Sequence, residues 1–364
     1  MSTKGKAAIF VEPNKPLVVD EVEFPDPGRD QVLVKLFASG VCHSQLHTMR
    51  RPARRGHRLP ELLGHESTGV VVARGRDVRH VKEGDHVITT WVDRDNSTTD
   101  QPLVMHALND RAQYAADWRG KEVMHSAATW AEFALAQERV VLPLPRDVPT
   151  DVTSIIGCAV MTGAGAIINT LEARCGQSVA VFGAGGIGLC AVSAAAIVDA
   201  YPIIVVDVSD EKLQFARRFG ATHVIHSQQI DAVQAIKDLT QGGVDFALDA
   251  VGLPQTQEQI LRAVRPGFSG RNQGGTALLI GITPPNAKAI LDTSLFAGSR
   301  SFTRTSGGDC KPDRDFPIFI RWYREGKLKL DDLITNRYKL EQINEAVDDL
   351  GHGRILGRGI LNFI

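Results

Sequence analysis

Apolar and polar residues alternate along much of the first 150 residues, in short stretches interrupted by prolines. Within residues 6–37, AAIFVEPNKPLVVDEVEF and QVLVKLFAS show the two-residue period of antiparallel strands. The stretches STGVVVARG, GDHVIT and ATWAEFALAQERVVLPLP continue this character. No helical period of useful length occurs before about residue 150. The pattern therefore predicts a β-rich domain over the first 150 residues.

From Ile155 onward small residues dominate, and a helix is predicted over Gly163–Leu171. Short apolar runs then alternate with helical periods, which is typical of a doubly wound parallel sheet. The alternation ends in the last 60 residues. The predicted strands lie near 178–182, 202–207, 222–226, 244–249 and 276–281, with a closing strand in RGILNFI. The predicted helices lie near 186–199, 210–219, 229–240, 255–264, 314–326 and 340–351.

A glycine motif stands between the first strand and the first helix of this alternating region. Gly183 permits a tight turn, Gly185 lets the backbone approach a pyrophosphate, and Gly188 lets the helix pack closely on the sheet. The helix N-terminus offers free N–H groups to phosphates. The next strand ends at Asp207, as expected for a dinucleotide site. The residues of the turn predicted to bind the cofactor are Gly183, Gly185, Gly186, Ile187 and Gly188.

Bulk properties limit the classes of function. The chain has 364 residues, enough for two domains, and a formal net charge of −1 gives no reason to expect nucleic acid or a membrane surface as partner. No apolar run is long enough to span a bilayer, and MSTKGKAAIF lacks the apolar core of a signal peptide. Five cysteines do not suggest a disulfide framework. We expect a cytoplasmic protein.

Two cysteines and a histidine are candidate metal ligands. Cys42 follows a strand and a glycine turn, His65 lies in a Gly-His-Glu sequence, and Cys158 precedes the second region. Two thiolates and an imidazole are a ligand set of catalytic zinc, whose fourth position stays open. Their wide spacing does not group them by itself. Taken alone, each cysteine fits a small buried apolar residue better than a metal ligand.

The chain resembles the zinc-dependent medium-chain alcohol dehydrogenases over nearly its whole length. The resemblance implies an α/β protein with a GroES-like β-rich catalytic domain (1–158 and 304–364) and a Rossmann NAD-binding domain (159–303), the active site lying in the cleft between them. It also implies that Cys42, His65 and Cys158 bind zinc. The matching segments are GVCHSQLH (40–47), LLGHESTGVV (62–71), GDHVIT (84–89), GCAVMTGAG (157–165), FGAGGIG (182–188), VVDVSDEK (205–212) and KLKLDDLITNRYKLEQINEA (327–346).

The same resemblance implies catalytic roles. Glu66 would lie behind the zinc, and Ser44 would hydrogen-bond the alcohol oxygen. His47 would end a proton relay to solvent. Trp91 aligns with an aromatic wall of the substrate pocket. In this mechanism zinc lowers the pKa of the alcohol, whose carbon then delivers a hydride to the nicotinamide.

Further residues would bind the cofactor by resemblance. His43 and Arg358 fall on positions that contact the pyrophosphate. Thr162 would pack against the nicotinamide. Asp207 and Lys212 would hold the adenosine ribose. Because a carboxylate repels a 2′-phosphate, Asp207 predicts a preference for NAD over NADP.

The chain departs from the family pattern at two places. Many members bind a second, structural zinc through four cysteines, and residues 91–118 contain no cysteine. We therefore expect one catalytic zinc per subunit and no structural zinc. The second departure is Gln45, where the family often has an acid that orients the zinc-binding histidine. A neutral amide can accept the imidazole N–H bond but raises the basicity of the ligand less.

The expected activity is oxidation of primary or small secondary alcohols, or the reverse reduction of aldehydes and ketones. One alternative is a dehydrogenase of the same superfamily that acts on a thiol adduct of formaldehyde. Another is an NAD-binding module without turnover, which the intact set of site residues disfavours. The resemblance further implies a homodimer formed by pairing of sheet edges near residues 300–303.

A basic loop lies between His47 and His65. It holds Arg50, Arg51, Arg54, Arg55 and Arg58. Such charge beside a substrate entrance favours anionic or strongly polar substrates. A solvated loop that aids solubility or touches a partner subunit is the alternative.

Overall fold

The computed structural model describes residues 2–50, 59–94, 113–125, 128–268, 273–284 and 286–364. The chain divides into two compact units. The first comprises Met1–Cys158, Lys311–Arg321 and Leu330–Ile364, and the second comprises Ala159–Cys310 and Trp322–Lys329. The domain boundaries drawn from the sequence stay a prediction. No helix among the described residues is long and apolar enough to cross a membrane.

A small closed barrel forms one part of the first unit. Its strands pair in the order β1-β2-β7-β8-β4. The interior is apolar, with Phe24, Leu62 and Val123 fully or almost fully buried. The barrel strands are β1 (Thr3–Phe10), β2 (Val18–Phe24), β4 (Glu61–Leu62), β7 (Gln113–Trp118) and β8 (Lys121–His125).

A second sheet of the first unit holds the strands whose ends lie next to the candidate site residues. Its order is β10-β6-β5-β3-β18-β17, with β9 also pairing β3. The last strand of the chain, β18, thus pairs antiparallel with β3. The strands are β3 (Gln31–Gly40), β5 (Ser67–Arg74), β6 (His86–Thr89), β9 (Phe133–Gln137), β10 (Val141–Pro143), β17 (Ile334–Tyr338) and β18 (Arg358–Asn362).

Short helices cover this sheet. Leu46 and Met49 of the first helix are buried in one apolar cluster with Ile343 and Ala346 of the last helix. This packing stabilises a helix that is too short to be stable alone. The helices are α1 (His43–Arg50), α8 (Leu330–Leu333) and α9 (Ile343–Gly351), with α7 (Pro312–Arg324) shared with the second unit.

The second unit is a parallel sheet with the order β13-β12-β11-β14-β15-β16. The order reverses direction at β11, which pairs with β12 on one side and β14 on the other. In open parallel sheets ligands bind beyond the strand ends at such a point. The strands are β11 (Val179–Phe182), β12 (Ile203–Asp207), β13 (His223–His226), β14 (Phe246–Asp249), β15 (Thr276–Leu279) and β16 (Ser301–Arg304).

The helices of the second unit follow its strands closely. The predicted strand and helix alternation of this region is confirmed, with boundaries that differ by a few residues. The helices are α2 (Ala159–Gly165), α3 (Gly186–Ile197), α4 (Asp210–Arg217), α5 (Ala232–Thr240) and α6 (Pro254–Ala263).

One expectation about helices was wrong, and another had different bounds. Helix α1 lies well before residue 150, where no helix was expected, because two buried residues in eight give too weak a periodic signal. The helix expected over Gly163–Leu171 begins at Ala159 and continues into a π-helical turn, Ala166–Thr170. Strand β17 was also missed in the region where the alternation ends, whereas β16 lies at the sheet edge expected near residues 300–303.

Candidate active site

Cys42 lies between the end of β3 and the start of α1. The Cys42 carbonyl accepts a hydrogen bond from the Gln45 backbone N–H at 3.1 Å. The Val41 backbone N–H donates to the Gly359 carbonyl in β18 at 2.9 Å. The thiol is therefore held by two strands and by a helix anchored through its own apolar face.

His65 and Glu66 lie between β4 and β5. The backbone conformation there requires a glycine at position 64, directly before them. Gly64 has φ +91°, and a Cβ there would stand 2.7 Å from the Trp130 backbone nitrogen. The Glu66 carbonyl accepts hydrogen bonds from the Ser39 hydroxyl at 3.0 Å and the Gly40 N–H at 3.1 Å. These contacts fix the direction in which both side chains leave the backbone.

Cys158 ends a short 3₁₀ segment, Val152–Gly157. The Thr90 hydroxyl donates to the Gly157 carbonyl at 2.7 Å. A Cβ on Gly157 would overlap the Thr89 carbonyl oxygen, so only glycine allows this approach. The turn thus brings Cys158 against the end of β6.

These segments gather four potential metal-binding side chains. The ligand atoms of Cys42, His65, Glu66 and Cys158 all lie within 4.8 Å of one another, and all four residues are buried. His65 Nε2 lies 3.2 Å from Cys158 Sγ. A sulfur and a nitrogen that share a tetrahedral zinc lie about 3.6 Å apart. The donor types and the spacing both fit zinc.

A hydrogen bond between Cys42 and Cys158 shifts the pKa values of the two thiols in opposite directions. A hydrogen bond from Cys158 lowers the pKa of Cys42 well below its ordinary value, and Arg358 and His65 add to this effect. The same hydrogen bond, together with burial, raises the pKa of Cys158. These shifts favour ionisation of Cys42 over that of Cys158. Thiolate is the form of cysteine that binds metals.

A buried ion pair lies beside the thiols. Arg358 contacts Glu66 through a guanidinium nitrogen, and the two residues are 5% and 0% exposed. Burial raises the pKa of Glu66, although the Arg358 charge opposes that shift. A Cβ on Gly40 would overlap the Glu66 carboxylate, so glycine makes room for the pair. The resemblance predicted Arg358 at the pyrophosphate; here it faces the metal-binding cluster.

Buried polar atoms without partners mark the predicted substrate and cofactor residues. Ser44 Oγ and Trp91 Nε1 in the first unit, and Thr162 Oγ1 in the second, have no hydrogen-bond partner among the described residues. A buried hydroxyl or N–H left unsatisfied costs about 1–3 kcal/mol. Such atoms are expected where a bound molecule completes the hydrogen bonding.

Helix α1 also carries the two predicted histidines. The rings of His43 and His47 lie 6.4 Å apart between centroids. His43 is exposed, whereas His47 is half-buried. Their spacing of four residues places both histidines on one face of the helix. Ser44 directly follows His43. This order from a buried hydroxyl to a half-buried ring suits a path for protons.

The three glycines of the phosphate-binding motif differ in what the fold demands of them. Gly183 has φ +102°, which favours glycine. A Cβ on Gly188 would overlap the Gly183 carbonyl oxygen. A Cβ on Gly185 would meet nothing within 4 Å, and no side chain caps the α3 N-terminus beside it. The fold therefore does not require glycine at 185, but close approach of a ligand does.

Asp207 is tied to this turn. One carboxylate oxygen accepts the Ala184 N–H at 2.8 Å, and the other accepts from Val208 at 2.7 Å and Ser209 at 3.1 Å. Lys212 lies one helical turn further on, where its backbone N–H donates to the Ser209 hydroxyl at 3.4 Å. The carboxylate thus has a structural role that the sequence motif did not indicate.

Sequence reasoning missed two apolar residues near this turn. Val208 is 54% exposed and Val251 is 42% exposed, and both follow strands of the parallel sheet. A Cβ on Gly183 would lie 2.8 Å from Val251 Cγ2. Exposed apolar side chains at the ligand-binding end of a parallel sheet are candidates to contact an adenine ring. The signal was present as a valine one residue after β12 and two residues after β14.

Some predicted features lie outside the described residues. These are residues 51–58, which hold four of the five arginines of the basic loop, and residues 95–112 of the cysteine-free segment. Asp93 and Arg94, which precede that segment, are described. Arg94 pairs with Asp313 at 2.8 Å.

Comparison with known proteins identifies the family. Residues 28–146 match the alcohol dehydrogenase GroES-like domain, and residues 186–325 match the zinc-binding dehydrogenase domain. An alcohol dehydrogenase class-3 of Cereibacter sphaeroides is 31% identical, covering 95% of this chain and 96% of the relative. The chain belongs to the zinc-dependent medium-chain alcohol dehydrogenases. Its α/β fold, with a GroES-like and a dinucleotide-binding part, is that of the family.

Two further relatives carry names that bear on the substrate. An S-(hydroxymethyl)glutathione dehydrogenase of Paracoccus denitrificans is 30% identical, covering 98% of this chain and 100% of the relative. The crystal structure of benzyl alcohol dehydrogenase from Acinetobacter calcoaceticus has a TM-score of 0.88 and is 30% identical, with both chains fully covered. The chain is thus an oxidoreductase of a family that uses zinc and a nicotinamide cofactor.

Proposed function

We propose that this medium-chain dehydrogenase transfers a hydride between a primary or small secondary alcohol and NAD, producing an aldehyde or ketone. The observation that carries the proposal is the buried cluster of Cys42, His65 and Cys158. Two residues after Cys42, the buried Ser44 hydroxyl has no partner among the described residues. A metal site next to an unsatisfied hydroxyl suits metal-assisted chemistry on a substrate oxygen.

Zinc would be held by Cys42, His65 and Cys158, one ion in each subunit. Bound there, it would supply Lewis-acid polarisation of the substrate oxygen and lower the pKa of an alcohol. The four potential ligands are buried, and the Glu66–Arg358 ion pair lies beside the thiols. Glu66 stands close enough to the other three side chains to act as a further ligand.

The chain's own residues would move the proton. The Ser44 hydroxyl would accept the proton of the alcohol and pass on its own. His47, which follows it on α1 and is half-buried, would carry the proton to solvent. Trp91 would contact the organic part of the substrate with its indole ring.

NAD would bind at the glycine turn of the second unit. The open face of Gly185 would admit the pyrophosphate at the N-terminus of α3. Asp207 would accept hydrogen bonds from the adenosine ribose, with Lys212 nearby, and its charge would disfavour NADP. The unpartnered Thr162 hydroxyl would receive a hydrogen bond from the nicotinamide end. His43 and Arg358 are the proposed cationic contacts.

A second candidate is oxidation of a thiol adduct of formaldehyde. Relatives from Paracoccus denitrificans and Komagataella pastoris support it, since both are S-(hydroxymethyl)glutathione dehydrogenases, at 30% and 29% identity. The same zinc and proton path would serve, because such an adduct also presents a hydroxyl group on the carbon that loses hydride.

A homodimer in the cytoplasm is part of the proposal. Strand β16 is the edge of the parallel sheet, and its residues Ser301, Thr303 and Arg304 are exposed. An exposed strand edge can pair with the same edge of a second copy. Nucleic acid and membranes are not proposed as partners.

Activity with a defined panel tests the function. Purified protein loaded with zinc should reduce NAD with benzyl alcohol or small alkyl alcohols, and NADP should be a poorer cofactor. Formaldehyde with and without glutathione separates the second candidate, which requires turnover only when the thiol is present. No turnover with any of these would contradict both candidates. Elemental analysis that finds two tightly held zinc ions per subunit would contradict the single-zinc proposal.

A further inference from the structure

The two ends of the Gln45 amide contact two different partners, the Gly64 backbone N–H and the His65 ring. Its Oε1 accepts the Gly64 backbone N–H at 3.2 Å, and its Nε2 lies 2.7 Å from His65 Nδ1. A backbone N–H is always a donor, so it fixes the amide with the oxygen towards Gly64. The amide NH₂ group is therefore directed at the imidazole.

This arrangement selects one tautomer of His65. An amide NH₂ group can only donate, so Nδ1 accepts and the proton of the neutral imidazole lies on Nε2. Nε2 faces Cys158 Sγ at 3.2 Å and so donates to sulfur. A continuous chain of bonds runs from Gly64 through Gln45 and His65 to Cys158, with every donor matched to an acceptor.

Zinc bound through Nε2 requires the other tautomer. Nε2 then has no proton, and Nδ1–H is directed at the Gln45 amide. Turning the amide would present its oxygen to Nδ1–H but would place NH₂ against the Gly64 N–H. One of the two donors is left without an acceptor in either orientation. Gly64 and His65 are both buried, so water does not readily take that place.

We propose that Gln45 is a positioning residue that lowers the affinity of this site for zinc, because its amide cannot satisfy Gly64 and the zinc-binding tautomer of His65 together. The inference rests on the proposed zinc site. A carboxylate at position 45 would accept from both donors with its two oxygens. Outer hydrogen-bond partners of metal ligands change metal affinity by about 10- to 100-fold.

Zinc affinity of Gln45→Glu tests the proposal, because glutamate has the length of glutamine. Competition with a chromophoric chelator should show zinc bound about tenfold more tightly than in the wild type. Thr48→Glu adds the same charge one turn along α1 and is the control, since the Thr48 hydroxyl donates only to the Ser44 carbonyl, at 3.3 Å. Unchanged or weaker affinity in Gln45→Glu, or equal tightening in both variants, would overturn the proposal.

The tautomer of His65 gives a second readout that a general structural role would not move. In chelator-treated protein with ¹⁵N-labelled histidine, the wild type should show the proton on Nε2 and Gln45→Glu should show it on Nδ1. Adding zinc to the wild type should move the proton to Nδ1. The His65 signals are identified by their loss in His65→Ala. The same tautomer in wild type and in folded Gln45→Glu would refute the inference even if the zinc affinity of the variant cannot be measured.

Failure of the zinc site itself would look different. If Cys158→Ala binds zinc as tightly as the wild type, the proposed ligand set is wrong. The tautomer comparison still decides the role of Gln45 in that case, since it needs only the hydrogen bonds of Gln45, Gly64 and His65.

Discussion

The metal-binding cluster of the first unit and the glycine turn of the second unit are assembled in opposite ways. The glycine turn is one continuous stretch, and its binding groups are backbone N–H groups placed by local conformation. The cluster uses side chains from three separate segments, and each is held by neighbours distant in sequence, such as Thr90 for Gly157. A site made of local backbone can be recognised in a sequence, whereas a site made by tertiary packing needs the fold or a relative.

The largest expected effect comes from breaking the dispersed site. Cys158→Ala should lose bound zinc and reduce kcat/KM by about 1000-fold, because Lewis-acid stabilisation of several kcal/mol is removed. Elemental analysis and alcohol oxidation assays measure the two losses. Cys190→Ala is the matched control, since Cys190 is equally buried but lies in α3. Full activity in Cys158→Ala would contradict the assignment of this ligand.

The first unit has a second buried carboxyl group, Glu61, besides the Glu66 that pairs with Arg358. Glu61 in β4 is 8% exposed, and burial raises its pKa to about 7 from 4.5. Between these two pH values the folded state holds more protons than the unfolded chain, so stability falls as pH rises and the loss is complete above about pH 7. The full shift corresponds to about 3 kcal/mol.

Glu61→Gln should remove this pH dependence. We expect the variant to be more stable than the wild type at pH 8 and similar or less stable at pH 5, as measured by urea unfolding with zinc in excess. Glu122→Gln on neighbouring β8, whose side chain is exposed, serves as the control. Parallel stability profiles for wild type and Glu61→Gln would show that burial of Glu61 is not costly.

Two substitutions in the glycine turn, three residues apart, can distinguish an effect on the fold from an effect on cofactor binding. Gly188→Ala places a Cβ against the Gly183 carbonyl and should destabilise the fold by about 1–3 kcal/mol. Gly185→Val places its Cβ in open space, and although valine is a poorer N-cap residue than glycine, it should lower the melting temperature less than Gly188→Ala. NAD affinity, measured by fluorescence titration, should nevertheless fall at least about tenfold in Gly185→Val. If NAD binds that variant normally, the pyrophosphate does not approach Gly185.

What could be predicted from the sequence follows the same difference between local structure and structure that depends on tertiary packing. The alternation of strands and helices in the second unit was predictable because the apolar periods are long and the turns are short. Helix α1 was not, since its stability comes from Leu46 and Met49 packing on α9. Strand β17 was missed because its place depends on pairing with β18, which comes later in the chain.

The candidate site was predictable in type but not in its interactions. Cys42, His65 and Cys158 were grouped by resemblance, and the structure adds the reason for their approach: glycines at 40, 64 and 157 make room for neighbouring atoms. The pairing of Arg358 with Glu66 could not be inferred, because β18 joins β3 only in the folded sheet. The two hydrogen bonds of the Gln45 amide depend on the same assembly.

The smallest expected effect concerns the choice between NAD and NADP, and it tests whether the second unit's motif is purely local. Asp207→Asn should reduce the preference for NAD, as the ratio of kcat/KM values, by about tenfold, because one unit of repulsion towards a 2′-phosphate is lost. NAD affinity should also decrease, since an amide has one oxygen for the N–H groups of Ala184, Val208 and Ser209. Asp210→Asn removes an equal charge from the exposed start of α4 and should change neither quantity.

If Asp207→Asn lowers NAD affinity without changing the cofactor ratio, Asp207 acts only through the glycine turn. If wild-type protein uses NADP as well as NAD, the proposed cofactor preference is wrong, and the carboxylate is there to hold the turn.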